Sequence, residues 1–166
     1  MLFLGVDVGS DGCCAVLTEN NELATYRFKN LTEKDICDIF KAVKTSPNAQ
    51  NGLFCALEQV NSFPGQGVAS SFKFGGNFGL LRGFLYSFDI PFELVRPQTW
   101  QKYLGCLSKG DKNITKSMAQ RMFPTHKIGH GNADSILMAV YAYRIWHQRE
   151  YGGINGKKTD GTSAQG

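Results

Sequence analysis

A chain of 166 residues with 18 Lys and Arg against 14 Asp and Glu, net +4, holds one domain with a sizeable core and leaves no room for a second. The positive surplus permits nucleic-acid binding without demanding it, and it sits in the C-terminal third, where nine Lys or Arg fall between 109 and 158. No stretch approaches the roughly 20 apolar residues of a membrane span, no basic leader precedes the first apolar run, and the five cysteines form no CxxC pair. We therefore expect a cytoplasmic protein with reduced thiols and no membrane association.

Residues 2–8 read as a buried strand, followed by a turn over Val8–Gly12 whose Gly, Ser and Asp tolerate positive φ. A hairpin is expected over 13–18 and 22–28, joined by Glu19-Asn20-Asn21. Thr32 is placed to cap a helix that runs to about Lys44, with Asp35 at its third position and Ile36, Ile39, Phe40 and Val43 on one face. After a turn at 46–51, residues 53–60 form another apolar strand, which carries Glu58 and ends at the Pro- and Gly-bearing loop 61–67. The helix expected over 69–88 contains Gly75, Gly79 and Gly83, each costing about 1 kcal/mol relative to Ala, so close approach of another backbone is the expected compensation. A short strand at 92–95, a helix from Pro97, a basic loop at 108–112, a helix to about Met122 and an apolar helix over 133–146 complete the pattern. Residues 1–151 make one domain, and 152–166, rich in Gly with Ser, Thr, Lys and Asp, read as a disordered tail. A hairpin on the first strand followed by alternating strands and helices predicts an α/β protein with a mixed sheet and helices on its faces.

Three acids stand inside or beside apolar segments: Asp7 and Glu58 end strand-like runs, and Asp134 opens the last helix with His130 one turn before it. A buried, unpaired carboxylate costs several kcal/mol, so three at the edge of one core imply cations between them. If the first and fourth strands are parallel neighbours, Asp7 and Glu58 project side by side at their carboxyl ends, where ligands of such sheets gather. On a continuous helix, His130 and Asp134 share a face that brings them toward that pair. Oxygen-rich ligands suit Mg²⁺, one ion or two, and imidazole among them leaves Mn²⁺ open. Two such ions activate water and hold the departing oxygen in phosphodiester cleavage. Each residue also has a plainer reading. Asp7 also reads as a cap of the Gly9–Gly12 turn, Glu58 as a strand-end charge that reaches solvent, and His130 as a residue that caps or packs before its helix. Lys109, Lys112 and Lys116 read either as a solvated face or as phosphate contacts, and the Phe and Gly stripe from Phe72 to Phe88 reads as core packing more than base stacking, its Gly face being equally open to a dimer interface.

Leu4-Gly5-Val6-Asp7-Val8-Gly9-Ser10, Ala56-Leu57-Glu58-Gln59-Val60 and Asn132-Ala133-Asp134-Ser135-Ile136-Leu137-Met138-Ala139 resemble, in order and rough spacing, motifs of the RuvC-like Holliday junction resolvases. Pro64-Gly65-Gln66-Gly67, Phe74-Gly75 and Val95-Arg96-Pro97-Gln98-Thr99-Trp100 look closest to bacteriophage-type members. The resemblance implies an RNase H-like fold with a mixed five-stranded sheet and helices on both faces, a homodimer, and metal-dependent nicking of branched DNA. It implies Asp7, Glu58 and Asp134 as catalytic metal ligands. Bacterial relatives place an Asp or His where this chain has Gly131, and phage-type relatives use the position of His130, which becomes the fourth ligand or a group handling the proton of the attacking water. Where bacterial relatives have a junction-wedging aromatic, this chain has Asn61, with Phe63, Phe72 and Phe74 nearby as substitutes. The candidate DNA-contacting set is Lys109, Lys112, Lys116, Phe63, Gln66 and Lys73. The resemblance places the protein in the cytoplasm, that of the bacterial host if it is phage-encoded. Competing readings are a nuclease of the same fold acting on RNA, flaps or forks, and a non-catalytic branched-DNA-binding module. The Gly5–Ser10 segment also resembles the first phosphate loop of sugar kinases and actin-like ATPases, but those need two related domains.

Overall fold

The computed structural model describes residues 1–9, 11–61, 65 and 67–155. Five strands, β1 (Leu2–Asp7), β2 (Cys13–Thr18), β3 (Leu23–Arg27), β4 (Leu53–Glu58) and β5 (Phe92–Val95), form one sheet in the order β3-β2-β1-β4-β5. β1, β2 and β3 pair antiparallel as a meander, while β1–β4 and β4–β5 are parallel. The central strands are continuous apolar runs because both of their faces are covered, whereas edge strand β3 is half exposed.

Helices α1 (Glu33–Thr45) and α2 (Val68–Ser87) cover one face, packing with Leu2, Leu4 and Val6. The other face carries α3 (Pro97–Leu104), α4 (Lys112–Met122) and α5 (Ala133–Asn155), packed with Phe3, Phe54 and Ala56. This is the expected mixed five-stranded α/β architecture. Helix α1 starts as expected, with a reciprocal capping box in which Thr32 Oγ1 accepts from Asp35 N at 3.2 Å and Asp35 Oδ2 accepts from Thr32 N at 2.8 Å. Among the described residues no helix is long and apolar enough to cross a membrane.

Gly5 decides how closely α5 crosses the sheet. A Cβ there would lie 2.1 Å from the Ser135 carbonyl oxygen and 2.3 Å from the Ala139 nitrogen, so the α5 backbone rests directly on β1. That contact fixes the start of α5, and with it Asp134, above the end of β1.

Several boundaries differ from expectation. β1 stops at Asp7 rather than Val8, because Asp7 Oδ1 accepts the Gly9 N–H at 2.9 Å and turns the chain, and β4 stops at Glu58. The segment 46–51 is a short 3-10 helix over Pro47–Asn51. Helix α5 runs to Asn155, past the boundary expected after 151, and residues 156–166 lie outside the described residues. The compensation expected for the α2 glycines is absent among the described residues: none of them comes within 4 Å of a Cβ built at Gly75, Gly79 or Gly83. α2 packs inward through Leu81 and Leu85, with Phe78, Phe84 and Phe88 beside them, and its glycines stand elsewhere on its circumference.

Candidate active site

The parallel register of β1 and β4 pairs Val6 with Leu57, so Asp7 and Glu58 follow one step later as neighbours at the carboxyl edge of the sheet. Each is half-buried. Burial pushes the Glu58 carboxyl up to about 9, and the adjacent Asp7 charge, a hydrogen bond shared with Asp7 and the Asp134 charge push the same way; Lys112 opposes them. Without a bound cation, burial and its acidic neighbours therefore favour the protonated form of Glu58 at neutral pH.

Asp134, the second residue of α5, completes the group. Burial raises its pKa first and foremost; the Thr115 hydroxyl opposes this by donating a hydrogen bond, Asp7 adds to the rise, and Lys112 and His130 oppose it. Its Oδ1 is buried with no hydrogen-bond partner among the described residues. A buried acceptor without a donor is costly and rare, and a cation would satisfy it. Three carboxylates make a hard, oxygen-only donor set. The nearby thiols do not compete: burial raises both Cys13 and Cys106, with Asp7 and Asp134 respectively adding to the effect. The chemistry of the donors therefore fits Mg²⁺ or Mn²⁺ better than a thiophilic metal. Among the described residues no three His, Cys, Asp or Glu side chains already stand together as a metal cage, so a cation would draw the carboxylates inward.

His130 is placed differently from the shared-helix expectation. Helix α5 begins only at Ala133, and His130 lies in the preceding turn, exposed, with Nε2 3.1 Å from Asn113 Oδ1 of α4. The tautomer in which Nε2 donates to this oxygen leaves Nδ1 as the other ring nitrogen, away from Asn113. Asn132 pins this turn by accepting from Gly129 N at 2.9 Å and donating to the Lys127 carbonyl at 3.1 Å. Asp7 accepts from the Gly9 amide at 2.9 Å, as a cap of that turn does, and also abuts Glu58.

Of the candidate DNA-contacting residues, Lys112 opens α4 and acts electrostatically on both Glu58 and Asp134. Lys116 lies one turn further along α4, and Lys109 is exposed in the loop before it. Lys73 lies on α2 and lines a separate cleft beside Val8 and Gly9. Phe63 and Gln66 lie outside the described residues. Asn61 and Phe74 line a cleft of about 430 Å³ that opens at Glu58 and also holds Gln59 and Arg96. Phe72 is 85% exposed, unlike the packed phenylalanines further along α2. Sequence reasoning missed Thr115, Asn113 and Asn132. Only Asn132 carried a signal, since it lies inside the motif around Asp134.

No family model matches the sequence, and no curated protein is significantly similar to it. Solved structures do resemble it. A Thermus thermophilus RuvC structure aligns over 91% of this chain and 97% of its own, with a TM-score of 0.57 and 14% identity. T. thermophilus RuvC in complex with a Holliday junction substrate aligns over 90% of this chain and 96% of its own, with a TM-score of 0.63 and 12% identity. The fold is thus RuvC-like across almost the whole length of both proteins.

Proposed function

We propose that this chain is a divalent-metal-dependent endonuclease that nicks Holliday junctions or related branched DNA as a homodimer. The observation that carries the reading is the half-buried group Asp7, Glu58 and Asp134, whose Asp134 Oδ1 has no partner among the described residues, at the carboxyl edge of β1 and β4 in a RuvC-like fold. The position of His130, four residues before Asp134, supports placing it with the phage-type members.

Asp7, Glu58 and Asp134 would hold the metal, which when bound supplies Lewis-acid stabilisation of charge developing on the scissile phosphate. Thr115 would favour the ionised form of the Asp134 carboxylate, opposing the burial that raises its pKa. His130, its Nε2–H directed to Asn113, offers Nδ1 to the proton of an attacking water. The Lys112 ammonium would face the phosphate opposite the acids. Phe74, in the cleft at Glu58, is the aromatic best placed to act on bases next to the cut, in place of the polar Asn61.

The outer face of α2 supports the homodimer. Val68 is 87% exposed and Phe72 85%, and Gly75, Gly79 and Gly83 leave that helix open to close approach. Two sites related by a two-fold axis suit paired cuts in a branched substrate.

Cleavage of labelled four-way junctions, flaps, forks, duplexes and RNA hybrids in Mg²⁺, Mn²⁺ or EDTA tests the reading. Paired, ligatable nicks in junctions are expected with either metal and none in EDTA, and Asp7→Asn should abolish them in a folded protein. Tight junction binding without cleavage under any condition would overturn it, and preferential cutting of flaps or RNA hybrids would reassign the substrate.

A further inference from the structure

The acid group has Lys112 on its α4 flank, and the opposite flank carries Arg27 and Lys29, cations with no assigned role. Asp7 pairs across the sheet with Cys13, and Cys13 with Arg27, so Arg27 ends the rung of strands that starts at Asp7. Its side chain turns back over the turn before α5. A Cβ at Gly131 would lie 2.6 Å from one guanidinium nitrogen and 2.8 Å from the guanidinium carbon. Arg27 thus fills the space that a side chain at 131 would take, three residues from Asp134.

Arg27 reaches Asp11 Oδ2 at 3.7 Å, and Lys29 Nζ lies 3.7 Å from the same oxygen. Both contacts are too long for hydrogen bonds. The three side chains are each about half exposed, at 49%, 51% and 56%, so a single carboxylate faces two cations whose donors stay open to solvent. Asp11 and Lys29 also line a cleft of about 310 Å³ that includes Val8 and Gly9, the residues directly after Asp7, while Lys73 on α2 contributes to another of its walls. Lys29 and Lys73 therefore line an opening that begins one residue beyond Asp7, and Arg27 stands next to it through its contact with Asp11. A pair optimised for stability would close at hydrogen-bond distance, and exposed pairs contribute little in any case. An Arg fork with neighbouring ammonium groups around a concave surface is the chemistry that recognises phosphodiesters.

We propose that Arg27, Lys29 and Lys73 form a phosphate-binding rim for the sugar–phosphate backbone of a nucleic-acid strand on the β3 side of the acid group, with Asp11 standing where a phosphate sits between Arg27 and Lys29. The inference rests on the nuclease reading above and extends the strand's path to a flank opposite Lys112. Asp11 competes with the backbone for the same two cations, so its charge opposes binding.

The test is fluorescence anisotropy of a labelled four-way junction with the full chain in EDTA, at salt concentrations between about 50 and 200 mM. Arg27→Gln, Lys29→Gln and Lys73→Gln should each weaken binding several-fold and reduce the magnitude of the log affinity–log salt slope by about 0.7 to 0.9. Asp11→Asn should tighten binding about threefold, whereas a purely structural role for Asp11 predicts no change or a loss. Lys29 and Lys73 are exposed, so their variants test the rim even if Arg27→Gln unfolds. If Lys112→Gln lowers the slope while the rim variants bind as wild type does, the nuclease reading stands and the rim is refuted. If the wild-type chain binds no nucleic acid, the nuclease reading fails first. An Asp11→Asn variant that binds no tighter than wild type refutes the role given to Asp11.

Discussion

Replacing Glu58 by Gln should stabilise the metal-free protein while destroying its response to metal. In the fold the Glu58 carboxyl is pushed from 4.5 to about 9, chiefly by burial and then by Asp7. Between those values the folded chain holds a proton that the unfolded chain has released. The linkage sign is therefore negative, and stability drains away as pH rises through that window. At pH 7 the gap above 4.5 is about 2.5 units, which at 1.36 kcal/mol per unit sets a penalty of at most about 3 kcal/mol. Gln has the same shape, carries no charge at any pH and still offers a hydrogen bond to Asp7. In EDTA, urea unfolding from pH 5 to 8 should show wild-type stability falling while Glu58→Gln stays flatter, the two diverging by up to about 3 kcal/mol at pH 7. Mg²⁺ or Mn²⁺ at a hundred times its dissociation constant should return about 2.7 kcal/mol to the wild type and far less to the variant. A Glu58→Gln protein less stable than wild type at pH 8 in EDTA, or one equally stabilised by metal, would refute the reasoning.

Gly5→Ala should cost about 3 kcal/mol or more, because its Cβ would lie 2.1 Å from the Ser135 carbonyl oxygen and α5 cannot retreat without repacking. Cleavage per folded molecule should fall as well, since Asp134 moves with the helix; a variant of unchanged stability and activity in urea titration and nicking assays would count against the close contact. Thr115→Val removes the donor to Asp134 at a position only 2% exposed, and a lost hydrogen bond to a charged group of about 1.5 kcal/mol should weaken Mg²⁺ affinity about tenfold. Because the hydroxyl lowers the Asp134 pKa, the acid limb of the pH–activity profile should move to higher pH in this variant. Val68→Lys combined with Phe72→Lys should convert the proposed dimer to a monomer in sedimentation velocity and leave the fold intact, since both side chains are more than 80% exposed within one chain.

The parts of the site that could be read in the sequence are those where polarity and local pattern contradict each other. Asp7 and Glu58 stood out because each ends a run of residues with nothing else polar in it, and those runs are apolar because helices cover both faces of β1 and β4. The α1 capping box was legible for the same local reason, since Thr32 and Asp35 satisfy each other within one turn. Thr115 and Arg27 carried no such signal. Each is an ordinary residue on its own element and acquires its meaning only when packing sets it against a backbone or carboxylate far away in sequence.

The glycines show where local reasoning turns around. Gly5 reads as one member of a strand motif, yet it is where the α5 backbone rests directly on β1, and the α2 glycines, which call for such a neighbour, have none among the described residues. A cost of about 1 kcal/mol per helical glycine calls for compensation somewhere. If none lies inside one chain, a second copy is the economical source, and the same face carries the exposed Val68 and Phe72. The surface that would join two chains and the glycine that seats Asp134 are thus two uses of one device, an absent side chain that lets backbones meet. The first would set the spacing between active sites, and the second sets the geometry within each.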